Sequence, residues 1–132
     1  MIVVATEQDH IDAVKAVLDD AGAVPYTVQD ANRVSVLPPA YNSFTVEPRA
    51  GGVLRITATT DARGYRIAVQ SCGKTYDEAV AMRIAADAAL RGASLVVGSG
   101  MSTPIQFESA QPVDDQDRPG WYVGSQLYTY VH

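Results

Sequence analysis

Apolar residues recur along the chain in two periods, and the changes between them divide it into elements. Ile11, Val14, Leu18 and Ala21 follow the i, i+3, i+4 rule, which predicts an amphipathic helix with Asp12, Lys15 and Asp19 off the apolar stripe. Thr6 suits its N-cap, Glu7 and Asp9 lie where the helix dipole favours acids, and Gly22 and Pro25 supply the stop. Tyr26–Val28 and Arg33–Val36 suggest short strands, closed by Pro38-Pro39, which cannot donate to a ladder. From Ala40 to Gly52 the pattern reads as a loop, although it holds Tyr41, Phe44 and Val46. Aromatics in a loop need cover, either from the subunit's own core or from a partner.

A strict alternation follows. Leu54, Ile56 and Ala58 alternate with Arg55, Thr57 and Thr59, and Tyr65, Ile67 and Val69 alternate with Arg66, Ala68 and Gln70. With Asp61-Ala62-Arg63-Gly64 between them, these runs predict a β-hairpin turning at 61–64. Thr75 with Glu78 is a capping box, and Gly92 marks the end of a second helix. After its first turn only Arg83, Asp87 and Arg91 are strongly polar, at i, i+4, i+8. So apolar a helix must be covered on more than one side, by its sheet and by either the first helix or another subunit. Leu95–Val97, Ile105–Glu108 and Trp121–Val131 read as strands, the last apolar or aromatic on both faces and therefore central or at an interface. The whole predicts one α+β domain over 1–132, a mostly antiparallel sheet packed by two main helices.

Composition narrows the classes. A chain of 132 residues that is 47% hydrophobic can close one core without disulfides, and Cys72 is its single cysteine. Met1–Ala5 lacks a basic leader region, no apolar run nears bilayer length, and a soluble cytoplasmic protein is the expectation. The net charge of −5 argues against a broad nucleic-acid surface. Its distribution is uneven: Glu7, Asp9, Asp12, Asp19, Asp20 and Asp30 stand against Lys15, whereas Arg33, Arg49, Arg55, Arg63 and Arg66 stand against Glu47 and Asp61. Such asymmetry suits head-to-tail contact between copies, or simply two different solvated faces.

No constellation for catalysis emerges. Asp115-x-Asp117 resembles the opening of an EF-hand loop and Gly120 fits its glycine, but Gln126 stands where the bidentate Glu belongs. Gly98-Ser99-Gly100 lacks the third glycine of a dinucleotide turn, Thr103 and Pro104 standing there instead. His10, on the polar side of the first helix, and the terminal, mobile His132 are the only histidines; a Cys72–His10 pair is the sole nucleophile–base combination. The expectation is a protein that is not an enzyme, with no metal or cofactor.

Tyr65–Gln70 running into Thr75-Tyr76-Asp77-Glu78-Ala79 and ending at Leu90-Arg91-Gly92, with the closing strand Trp121–Tyr130, resembles the tail terminator (tail completion) proteins of long-tailed bacteriophages. The resemblance implies a virion protein forming a ring, typically of six copies, on the last ring of the tail tube. It would stop tube growth and present a joining surface to the neck. Implied partners are further copies of the chain, the tube protein and head–tail connector proteins. DNA would pass through the ring without sequence recognition, and no membrane is involved. A neck or head-completion protein and a small-molecule-binding regulatory domain are the alternatives. The candidate interface residues are Arg83, Asp87 and Arg91 on the second helix, Arg49, Tyr41 and Phe44 in the 40–52 segment, and Asp19 and Asp20 ending the first helix.

Overall fold

The computed structural model describes residues 6–33, 36–55, 61–98, 100–114 and 120–132, with backbone alone over 49–55 and 61–63. Helix α1 (Glu7–Asp20) starts from a full capping box: Thr6 accepts from the Asp9 amide, and the Asp9 carboxylate accepts from the Thr6 amide at 2.9 Å. Its buried stripe is His10, Val14 and Leu18, with Ile11, Ala13 and Val17 half-covered; Ala21 lies outside, at the C-cap. His10 is thus on the core side and not the polar side expected. The i, i+4, i+8 spacing carries it inward, where its ring stacks on Tyr65 at 4.0 Å.

Strand β1 (Pro25–Thr27) follows, and then a short helix α2 (Val28–Arg33) where a strand was expected around Arg33. Thr27 Oγ1 accepts from the Asp30 amide at 3.1 Å, and this cap commits the six residues to a helical turn. Val34 and Ser35 lie outside the described residues.

The largest departure from the pattern is strand β2 (Ala40–Arg55), which occupies the supposed loop. It pairs antiparallel with β3 (Asp61–Gly73), Ala40 opposite Gly73 and Arg55 opposite Asp61, so 61–64 belongs to the strand and not to the turn. Ile56 to Thr59, which the alternation places in a strand, lie outside the described residues. Pro48 is tolerated because β1 covers β2 only at Asn42–Phe44, which leaves no neighbour on that side requiring its missing N–H. The register shifts between Pro48 and Val53.

Helix α3 (Tyr76–Leu90) begins at Thr75, whose Oγ1 accepts from the Glu78 amide at 3.1 Å. It ends where Gly92 adopts φ 82°, a left-handed conformation that favours glycine. A two-stranded β4 (Val96–Val97) and β5 (Gly100–Met101) hairpin then leads to β6 (Gln106–Ala110) and β7 (Tyr122–Val131). The main sheet runs β1-β2-β3-β7-β6, parallel only between β1 and β2, and this is an α+β fold with a mostly antiparallel sheet. Helices α1 and α3 pack on one face, α1 against β1 and β2 and α3 chiefly against β3. Between helices and sheet lie Val14, Leu18, Phe44, Val46, Ile67, Val69, Ala86, Leu90 and Tyr128, all buried.

One polar group is set into this layer. Asn42, fully buried, donates to the Ala23 carbonyl at 2.7 Å and the Met82 carbonyl at 3.2 Å, and accepts from Ser71 Oγ at 2.5 Å. Four segments (the α1–β1 link, β2, β3 and α3) are joined at one side chain.

Candidate functional site

Three apolar side chains of α3 face outward. Ala81, Ile84 and Ala88 are exposed at i, i+3, i+7, Ile84 by 63%, and Tyr76 joins them at the start of the helix by 53%. The sheet, with α1 close by, covers Ala79, Ala86 and Leu90, and Tyr76 meets Tyr122 edge-on at 6.2 Å, but the outer stripe Ala81, Ile84 and Ala88 is left exposed. Beside it, α3 and the β6–β7 side of the sheet bound an open cleft of about 630 Å³, lined among others by Arg83, Ile84, Asp87, Arg91, Phe107 and Gln126.

The polar stripe read from the sequence is in this cleft, but not as a row of solvated charges. Arg91 and Asp87 make an ion pair at 3.0 Å, and the Arg91 guanidinium lies 4.3 Å over the Phe107 ring. Tyr128 donates its hydroxyl to Asp87 at 2.8 Å. Arg83 turns away from Asp87 and donates to the Gln111 carbonyl at 3.3 Å. Burial works to raise the Asp87 pKa, but hydrogen bonds from Arg91 and Tyr128 and the charges of Arg91 and Arg83 outweigh it, and the carboxyl is held below its usual range. Burial, then Asp87, push Tyr128 upward, so it stays a donor. Asp87 is therefore an anchor between α3 and β7, whereas Ile84 is exposed to meet another molecule and the half-buried Arg83 is held only by the Gln111 carbonyl.

The other candidates separate. Tyr41 and Phe44 are both buried within the subunit, on opposite faces of β2, and present no surface to a neighbour. Phe44 joins the helix-side core, while Tyr41 meets Tyr26 and Trp121 edge-on beneath the opposite face. Asp19 and Asp20 are exposed at the end of α1, and the Arg49 side chain lies outside the described ones. Gln126 had no signal as an interface residue. It is 1% exposed, and its side-chain amide has no partner beyond the neighbouring Tyr128 hydroxyl.

Among the described residues, the nucleophile–base pair read from the sequence does not come together. Cys72 is buried seven residues along β3 from Tyr65, about 23 Å at the usual strand rise of ~3.3 Å per residue, so it does not meet His10. His10 instead shares its Nδ1 with the Tyr130 hydroxyl at 2.6 Å, and His132, expected to be mobile, packs edge-on to it at 5.1 Å. Among the described residues no group of three or more His, Cys, Asp or Glu is placed to hold a metal; Asp115 and Asp117 lie outside them. No described helix is long and apolar enough to cross a membrane.

Burial, and then the neighbouring His132 charge, lower the His10 pKa, with Asp9 opposing. Folded His10 therefore takes up a proton less readily than in the unfolded chain. Its contribution to stability is complete above the unfolded value of about 6.5 and is lost as the pH falls through that value toward the lower folded one. Thermal melting between pH 7 and pH 5 should show a fall in midpoint, and His10→Phe, which keeps the stack on Tyr65, should flatten it. An equal slope in both proteins would refute this role.

No protein-family model matches the chain, and a search of curated proteins finds no match. Among solved structures, the fold is similar to a chain in the "Virion of native gene transfer agent (GTA) particle", with a TM-score of 0.70 and 17% identity over 96% of this chain and 93% of that one. At that identity the likeness establishes a shared fold.

Proposed function

We propose that this protein is a structural component of a phage-like virion. It closes into a ring on the end of the tail tube, stops tube growth there and offers the joining surface to the neck. The carrying observation is the outer stripe Ala81, Ile84 and Ala88, an apolar helix face that the subunit leaves exposed and that a neighbouring subunit would bury. The near full-length likeness to a chain of a gene transfer agent virion supports the same reading. The cleft beside α3 is an open groove, a form suited to a protein partner more than to an enclosed small molecule.

Purified protein at rising concentration, alone and with the tail-tube protein of its own virion, should give closed rings in electron micrographs. Ile84→Asp should shift the material to single subunits while subunit stability changes by no more than about 0.5 kcal/mol, as is usual for an exposed position. Single subunits of wild-type protein under both conditions would sink the ring reading.

A further inference from the structure

Resting on that ring reading, we propose that the cleft beside α3 of one copy receives the C-terminal end of α1 of the next, Asp19 and Asp20 facing Arg83 and Arg91. Asp19 and Asp20 occupy the last turn of α1, where the negative end of the helix dipole makes a further negative charge unfavourable, and that turn has no base. Neither carboxylate makes an ion pair among the described residues. Two acids at the wrong end of a helix are explained by cations supplied from outside the subunit.

The cleft gives an independent sign of an occupant. Gln126 lines it, is 1% exposed, and has no partner for its side-chain amide beyond the neighbouring Tyr128 hydroxyl. The Leu18 and Asp19 carbonyls already accept from the Ala23 and Gly22 amides, so the acceptor that the end of α1 brings to the Gln126 amide nitrogen is a carboxylate of Asp19 or Asp20. Around the end of α1, the exposed Ala16, Ala21 and Gly22 are small enough to bring the helix end close to Ile84 and Phe107.

Placement fits a head-to-tail contact. Helix α1 packs over the β1–β2 edge of the sheet, whereas the cleft opens toward the β6 edge. Each copy thus carries an acidic patch and a cationic cleft on opposite flanks, the heterologous arrangement that closes a ring when the rotation between copies closes.

The test is a charge exchange read by sedimentation under the conditions in which wild-type protein assembles. Asp19→Arg, and separately Arg83→Glu, should each raise the concentration needed for assembly at least about tenfold. Arg91 is left intact because it anchors Asp87. Asp19→Arg and Arg83→Glu in one chain exchange one charge pair, leave Asp20 opposite Arg91, and should recover most of the loss. Unchanged assembly in the first two variants, or a combined variant no better than either, would overturn the docking while leaving the ring reading in place. Wild-type protein that never assembles would overturn both. If an exchange variant fails to fold by circular dichroism, Asp19→Asn with Asp20→Asn and Arg83→Gln take its place. These should weaken assembly and reduce its salt dependence, and a salt dependence equal to wild type would again refute the contact.

Discussion

Replacing Gly73 with alanine is expected to destabilise the subunit by about 3 kcal/mol, at the upper end of what an overpacked site costs. Gly73 is the last residue of β3, buried and in register with Ala40 on one side and Tyr122 on the other. A Cβ there would lie 2.8 Å from both the carbonyl carbon and the Cβ of Glu78, and closer still to the Ala79 amide nitrogen. Two of these three are backbone atoms in the first turn of α3, held there by the Thr75 cap. They cannot yield like the end of a flexible side chain, so either the helix start lifts from the sheet or β3 shifts against two neighbours. For a chain of this size such a loss lowers the melting midpoint by roughly 10 °C. A Gly73→Ala midpoint within a degree or two of wild type would show that the junction is looser than described.

The strand-to-helix unit was legible because its signals were local. The alternation of Tyr65, Ile67 and Val69, the Thr75 cap and the Gly92 stop each act over a few residues, and each is found. Strand β2 was not legible. Its first half contains Asn42, Ser43 and Pro48, which read as loop residues, yet it is held by two neighbours over Asn42–Phe44 and by β3 as far as Pro48. Tertiary pairing overrode local preference. The hairpin turn was misplaced for the same reason: Asp61–Gly64 has turn composition, but β3 runs through it and its pairing with β2 resumes at Arg63 after the register shift. Helix α2 escaped notice because Thr27 was read as a strand residue and not as a cap.

At the candidate site, helical spacing alone brought Arg83, Asp87 and Arg91 together, and the apolarity of α3 announced an uncovered face. Spacing could not tell a free charge from an anchored one. That Asp87 is held by Tyr128 and Arg91 by Phe107 depends on contacts spanning 41 residues in the first case and the β6–β7 fold-back in both. Gln126 was invisible for a related reason. A glutamine in a strand of alternating pattern is unremarkable until its burial and its lack of partners beyond Tyr128 are seen together. The charge asymmetry survives only in part: Arg66 is tied to Glu108 at 3.1 Å on the sheet's outer face, which removes it from the cations available to a neighbour.

Asn42→Ala should cost about 3 kcal/mol or more, the second large effect expected within the subunit. The substitution removes the donor to the Ala23 and Met82 carbonyls and the acceptor for Ser71 Oγ, all within a buried layer. Each buried group left without its partner is worth about 1–3 kcal/mol, and a small void adds to the loss. Ser71→Ala alone should cost less, because it strands only one side of the amide, and the double variant should fall well short of the sum. Urea unfolding of the four proteins measures that coupling. Strict additivity would mean that the two side chains do not act as one network. The consequence reaches the surface as well. Met82 immediately precedes Arg83 and Ile84, so the bond from Asn42 helps fix where α3 presents its outer stripe. Asn42→Ala should therefore weaken assembly at temperatures where the subunit still shows its native circular dichroism. Assembly that persists up to the melting transition would separate the core network from the interface.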